Sequence, residues 1–229
     1  MAKFKFILFA AFLLVFSSCN FYWDSGKTGN GHVVSEERSL DKSFKGIHVS
    51  AGLHVFLLQG DQEGVRVEAD ENLLELISTE VENGILLIKP TSPIRRAKSK
   101  SIYVTYRSIN RVRASSGSYI QTNNTLKNRE VSVKASSGAR VLMDIFSEDA
   151  DVSSSSGSEV ELSGKTISLT SSVSSGGMVK AQGLQSLRCI TNASSGGSSY
   201  LNVKEELNAK ASSGGKIVYF GEPSVLSEK

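Results

Sequence analysis

The sequence predicts an all-β protein, a parallel β-helix or β-solenoid built of coils of roughly 20 residues. Three observations carry this prediction: a Ser-Ser-Gly tripeptide that recurs six times, short alternating segments such as Val131-Ser132-Val133, and a globular composition with 39% hydrophobic residues. β-Branched residues that alternate with polar ones favour short strands. A repeat of this length cannot bury its inward face alone, so successive copies must stack and pair their strands in parallel.

The tripeptides mark one corner of each coil. They lie at residues 115–117, 136–138, 155–157, 174–176, 194–196 and 212–214. A glycine at a sharp corner adopts positive φ without steric cost, and serine hydroxyls can hydrogen-bond to the copies above and below. We expect a structural role, with a serine stripe that binds glycans as the open alternative. The doubled glycines that begin at Gly176 predict a more crowded corner toward the C-terminal end.

The segment before the regular repeats predicts a less regular structure. A degenerate copy, Ser50-Ala51-Gly52, precedes Ser115 by about three repeats, so we expect irregular early coils over residues 36–110 and regular repeats over 111–221 of one β-helix domain, 36–229. Asn83-Gly84 between strand-like runs predicts a hairpin, and residues 71–77 fit a helical turn or a bulged loop. The open ends of a β-helix need a cap, which we expect the charged tail after Phe220 to supply at the C-terminal end.

The N-terminus predicts export and lipidation. Lys3 and Lys5 precede an apolar run over residues 6–16, which is typical of a signal peptide and too short to span a membrane. Val15-Phe16-Ser17-Ser18-Cys19 resembles the bacterial lipobox, which implies cleavage before a lipidated Cys19. We therefore expect a lipoprotein signal peptide over 1–18 and a flexible tether over 19–35. A plain secretory signal with an incidental cysteine is the alternative.

Charge and cysteine content narrow the function classes. Removal of the signal peptide leaves a formal charge of about +1, which predicts no nucleic-acid partner. If Cys19 carries lipid, Cys189 has no disulfide partner. Since Cys189 lies in an apolar, strand-like run, we expect a buried and inert thiol.

Candidate chemical groups are few. The acidic residues that a carbohydrate-active β-helix could use are Asp144, Glu148, Asp149, Asp151, Glu159 and Glu161. Glu159 and Glu161 alternate on one strand face, as a pair of catalytic carboxylates would. We favour a solvated corner and leave a polysaccharide lyase or hydrolase as the alternative.

Two further groups of residues offer weaker signals. The three histidines, His32, His48 and His54, have no metal-ligand spacing, so we expect neither metal nor cofactor. The basic loop over residues 90–100 fits a solvated loop, with contact to anionic glycans or lipid headgroups as the alternative.

Residues 44–52 and the recurring Ala-Ser-Ser-Gly units resemble the autotransporter adhesin head GIN domain family of Bacteroidetes lipoproteins. The resemblance covers about residues 40 to 220. It implies a parallel β-helix-like body and a cell-envelope location, and it brings no catalytic residues.

These observations predict a non-enzymatic, adhesin-like outer-membrane lipoprotein, surface-exposed or facing the periplasm. We expect its lateral surface to bind a glycan or a protein, its lipid to provide the membrane contact, and the protein to be a monomer. A carbohydrate-active enzyme on the same fold and a periplasmic structural or assembly protein are the alternatives.

The lipidation site is directly testable. Cys19→Ala removes the only thiol available to the lipobox, so the variant should move from the membrane fraction to the soluble fraction of lysed cells. The conservative change Ser18→Ala, which keeps a small residue before the cysteine, is the matched control and should stay in the membrane fraction. Membrane retention of Cys19→Ala would contradict lipid anchoring.

Overall fold

The computed structural model describes residues 26–228. Strands make up 64% of it, and stacked parallel coils form a β-solenoid of about six turns, which confirms the predicted fold class. A short 3-10 helix spans Glu71–Leu76. The strands are β1 (Lys27–Thr28), β2 (Val33–Arg38), β3 (Gly46–Val49), β4 (His54–Gln59), β5 (Gly64–Asp70), β6 (Ile77–Glu82), β7 (Ile85–Pro90), β8 (Ile94–Arg96), β9 (Lys100–Tyr106), β10 (Arg111–Ala114), β11 (Tyr119–Thr122), β12 (Leu126–Lys127), β13 (Glu130–Ala135), β14 (Arg140–Ser154), β15 (Glu159–Val173), β16 (Met178–Ala193), β17 (Ser198–Ala211), β18 (Lys216–Phe220) and β19 (Val225–Glu228).

The regular body runs from β10 to β18. Each of the long strands β14 to β17 extends from one Ser-Ser-Gly corner to the next and pairs in parallel with its copy in the following coil. The remaining bends of a coil therefore occur within a continuous strand. Gly164 marks one of them: its φ is 105°, and a Cβ there would collide with the carbonyl oxygen of Ile145.

The corners are held by backbone geometry. In each tripeptide the second serine and the glycine both have positive φ, as in Ser116 (52°) and Gly117 (71°), the combination of a type I′ turn. In the first five tripeptides the glycine N–H donates to the carbonyl of the second serine in the next coil, and Gly117 bonds Ser137 at 3.0 Å. The prediction that serine hydroxyls form a ladder between coils is wrong, because backbone N–H and C=O groups make the hydrogen bonds between successive corners.

The core lies inside the stacked coils, where inward side chains form columns along the axis. Leu169, Cys189 and Leu207 occupy one such column and are all buried. Burial raises the pKa of the Cys189 thiol to about 12, so the thiolate is not formed near neutral pH. The prediction of a buried thiol is confirmed.

The irregular early coils expected over residues 36–110 do not follow one another between Ser50 and Ser115. The Ser50-Ala51-Gly52 corner stacks directly on the first Ser-Ser-Gly corner, with β3 and β4 parallel to β10 and β11. The intervening chain folds back, and β7 and β9 pair with the other edges of β3 and β4. The order of the strands in the stack therefore differs from their order in the chain. The number of residues between two strands does not determine whether they pair.

Antiparallel strands cap the N-terminal end. β6 pairs with β7, β5 pairs with β9, and β2 pairs with β5, all antiparallel. The predicted hairpin at Asn83-Gly84 is confirmed, with positive φ at both residues, and the helical turn appears as the 3-10 helix. The series of parallel coils therefore ends here, because the next strands on this side are antiparallel.

The expected flexible tether is corrected over its second half. β1 pairs with β8, and the buried carboxylate of Asp70 accepts hydrogen bonds from the backbone N–H groups of Gly31, Lys98 and Ser99 at 2.9 to 3.0 Å. These bonds hold the chain from residue 26 onward against the body. The signal peptide, Cys19 and residues 20–25 lie outside the described residues.

The tail beyond Phe220 continues the solenoid instead of capping it. β19 pairs in parallel with Glu206–Ala209 of β17, as another coil would. Within residues 26–228 β18 and β19 pair only with β17, so their outer edges have no partner strand. The expected blunting of this end by the charged tail is therefore wrong.

The corner at Gly176-Gly177 is crowded, as the doubled glycines predict, and this crowding has a testable effect on stability. An ideal Cβ on Gly177 would lie 2.5 Å from the carbonyl oxygen of Ser154, so Gly177→Ala should lower the free energy of unfolding by about 2 kcal/mol. The matched control is Gly64→Ala, where the added Cβ meets nothing within 4 Å and the change should stay within about 0.5 kcal/mol. Equilibrium unfolding in guanidinium chloride measures both, and equal midpoints would contradict the predicted crowding.

Candidate functional site

The acidic residues singled out in the sequence do not converge on one site. Glu159 accepts from Arg140 Nη2 at 3.2 Å and from Lys180 Nζ at 3.0 Å, and Glu161 lies 3.7 Å from the same guanidinium. Arg140, Glu159 and Lys180 belong to three successive coils: Arg140 is in register with Glu159, and Lys180, in register with Glu161, reaches Glu159 diagonally. Their charges neutralise one another along the outer face.

The remaining acids have other partners. Glu148 pairs with Arg129 at 3.0 Å, Asp151 lies 3.9 Å from Lys134, and Asp144 accepts from the Ser163 hydroxyl at 2.8 Å. Asp149 begins the strand segment that leads to the next corner, in register with Glu130 and Ser168. Within residues 26–228 no group of three His, Cys, Asp or Glu residues is placed to hold a metal ion.

The histidines also lie apart. His48 and His54 flank the Ser50-Ala51-Gly52 corner: the Nε2 of His48 lies 3.3 Å from the Ser115 hydroxyl, and the ring of His54 packs edge-on against Tyr119. Partial burial and nearby cations lower the pKa of both imidazoles, so both stay neutral at pH 7. His32 contacts Glu71 at 3.3 Å on the N-terminal cap.

The strand segments that directly follow the corners form one lateral face of the solenoid. An aromatic patch that the sequence did not indicate lies on this face. The rings of Phe56 and Tyr103 stack with centroids 5.2 Å apart, and Tyr119 meets Phe56 edge-on at 6.4 Å. The guanidinium of Arg66 sits 4.1 Å above the Tyr103 ring. All four side chains are partly exposed. We call Phe56, Tyr103 and Tyr119, with Arg66, the aromatic patch.

The patch forms only through the unusual stacking of the early strands. Phe56 is on β4, Tyr103 on β9 and Tyr119 on β11, and these strands lie side by side with Phe56 opposite both Tyr103 and Gln121. No regular repeat spacing relates these three aromatic residues. The sequence did not predict the patch because it gave no sign that β9 pairs with β4.

A polar groove continues from the patch along the same face. It has a volume of about 350 Å³ and is lined among others by Gln121, Asp144, Glu161, Lys180 and Gln182. The Tyr119 hydroxyl donates to Oε1 of Gln121 at 2.7 Å, which joins the patch to the groove. We call these five residues the polar groove.

The far end of this face carries a further aromatic residue. Tyr200 follows Lys180 in the same column, and Lys216 Nζ lies 5.9 Å from its ring. Five coil spacings separate Phe56 from Tyr200, about 24 Å at ordinary strand spacing. The face therefore offers aromatic rings at both ends and hydrogen-bonding groups between them, an arrangement suited to an elongated ligand with apolar and hydroxylated surfaces.

The family comparison agrees with this fold. Residues 43–223 match the model of a family described as "Putative auto-transporter adhesin, head GIN domain". The chain belongs to this family. The head GIN resemblance inferred from the sequence is therefore confirmed.

Solved structures of low sequence identity share the fold of this head GIN domain. A "putative adhesin" from Bacteroides fragilis has a TM-score of 0.83 and 17% identity, over 89% of this chain and 95% of that one. A "putative lipid binding protein" from Parabacteroides distasonis has a TM-score of 0.71 and 20% identity, over 88% and 95%. A "putative adhesin" from Parabacteroides merdae has a TM-score of 0.65 and 16% identity, over 90% and 95%. No curated protein matches the sequence.

Family membership suggests a cell-envelope protein, and the three similar structures are named as two "putative adhesins" and one "putative lipid binding protein", none as an enzyme. In the part of the chain from residue 26 to residue 228, no helix is long and apolar enough to cross a membrane.

Proposed function

We propose that this head GIN domain protein is a non-enzymatic, adhesin-like envelope protein that binds an oligosaccharide along the face that follows the corners. One observation carries the proposal: the aromatic patch continues directly into the polar groove. Sugar rings present apolar C–H faces that stack on aromatic rings, and their hydroxyls bond to amides and carboxylates. The ligand lies along the solenoid axis.

The electrostatics of the face favour binding over catalysis. Arg140 holds Glu161, and Arg140 with Lys180 holds Glu159, so these acids serve as fixed hydrogen-bond acceptors. Asp144 is likewise held by Ser163. The lyase or hydrolase alternative has no such support among the described residues.

The location is part of the same proposal. The protein is anchored in the outer membrane through a lipid on Cys19, with residues 20–25 leading to the body. Support comes from the lipobox-like sequence and from the cell-envelope character of the family. A protein held in this way presents the lateral faces of its solenoid to a glycan or to a partner surface.

A glycan array followed by titration calorimetry tests the binding site. An array of neutral and uronic-acid-containing oligosaccharides should show ligands for the Cys19→Ala chain. Phe56→Ala and Tyr103→Ala should each weaken binding of the best ligand about tenfold, because each removes one stacking surface. Phe146→Ala is the matched control, since Phe146 is exposed on a different side of the solenoid, and its affinity should be unchanged.

Two results would contradict the proposal. One is an array on which no oligosaccharide binds. The other is equal binding by the wild-type face and by Phe56→Ala when circular dichroism shows both to be folded.

A further inference from the structure

A second groove lies on another side of the solenoid and is lined by apolar side chains. It has a volume of about 690 Å³ and opens where residues 127–129, 146–148, 165–167 and 185–187 of four successive coils meet. Its apolar walls come from Phe146, Ile167 and Leu187. Phe146 is 57% exposed and Ile167 is 41% exposed, so water covers apolar surface that a ligand would bury. We call this site the apolar groove.

Positive charge flanks the apolar wall. Lys127, Phe146 and Lys165 stand in register on consecutive coils, so one lysine lies on either side of the exposed ring. Neither lysine has an ion-pair partner among the described residues, whereas Arg129 across the groove is paired with Glu148 at 3.0 Å. The two unpaired ammonium groups make the site complementary to an anion.

The polar groups of the groove floor are already satisfied. The Ser147 hydroxyl donates to Thr166 Oγ1 at 3.0 Å, and the Thr166 hydroxyl lies 3.1 Å from the Glu148 carbonyl oxygen. Ser147 and Thr166 are both buried. Because the floor makes no demand for further hydrogen bonds, an apolar chain can lie over it without leaving a polar group unpaired.

We propose that the apolar groove binds the acyl chain of a single-chain anionic amphiphile, such as a fatty acid, with its headgroup beside Lys127 and Lys165. A headgroup between the two lysines lies at the Phe146 coil, and two coil spacings, about 10 Å, separate this coil from that of Leu187, which matches about eight carbons of an extended chain. The chain runs along the axis, in contact with Phe146, Ile167 and Leu187. This site is separate from the oligosaccharide face and does not depend on the function proposed for it.

Dodecanoate is the probe, titrated below its critical micelle concentration into the full chain carrying Cys19→Ala, so that no lipid of the protein competes. Phe146→Ser should weaken its binding about tenfold, because it removes the largest apolar contact. Lys165→Glu should weaken dodecanoate binding and strengthen binding of dodecyltrimethylammonium, which has the same chain and the opposite charge.

The matched controls are Phe220→Ser, which removes an exposed ring at the C-terminal end, and Lys210→Glu, which changes an exposed lysine outside the groove. Both should bind dodecanoate like the parent chain.

Each contrary outcome overturns the proposal. If dodecanoate does not bind, the proposed site does not exist. If Phe220→Ser or Lys210→Glu weakens dodecanoate binding as much as the groove variants do, the binding is non-specific adsorption. Equal affinity for the two amphiphiles in the parent chain removes the anion preference. Phe56→Ala should leave the dodecanoate titration unchanged, so failure of the oligosaccharide site and failure of the apolar groove are distinguishable.

Discussion

The whole solenoid depends on one backbone constraint, the pair of positive φ angles at each corner. Where Ser116 and Gly117 adopt 52° and 71°, the glycine N–H points along the axis to the Ser137 carbonyl of the next coil. The same bond recurs at every corner from Gly52 to Gly196. Glycine accepts this geometry without cost, whereas a residue with a Cβ at the preceding position carries a penalty of roughly 1 kcal/mol. Stacking of the coils offsets that penalty, so the corner and the stack stabilise each other.

In-register stacking also decides what kind of site the protein can have. Outward residues of successive coils form straight columns, so ligand-binding groups line up along the axis and do not surround a deep cleft. The aromatic patch with the polar groove is one such array, and the apolar groove is another on a different side. Since Glu159 is in register with Arg140 of one neighbouring coil and forms an ion pair with Lys180 of the other, its charge is neutralised by cations on both sides.

The sequence was sufficient wherever the repeat was regular. The Ser-Ser-Gly repeat predicted the corners, and the alternation of apolar and polar residues predicted that Cys189 is in the core. The repeat length also accounts for the ion pairs, because residues about 20 apart lie on neighbouring coils. It was insufficient for the early strands, where β7 and β9 return to the edges of β3 and β4 after a long excursion. Sequence separation does not encode that return. The aromatic patch depends on it, since Phe56 and Tyr103 meet only when β9 pairs with β4.

The corner hydrogen bonds predict a distinctive pattern of amide hydrogen exchange. The N–H groups of Gly117, Gly138, Gly157, Gly176 and Gly196 each donate to the next corner, and Gly214 has no such acceptor within the described residues. Measured residue by residue under native conditions, exchange should be slow at the first five glycines and fast at Gly214. Fast exchange at the internal corners, or protection of Gly214 equal to that of Gly196, would contradict the account of how the coils are held together.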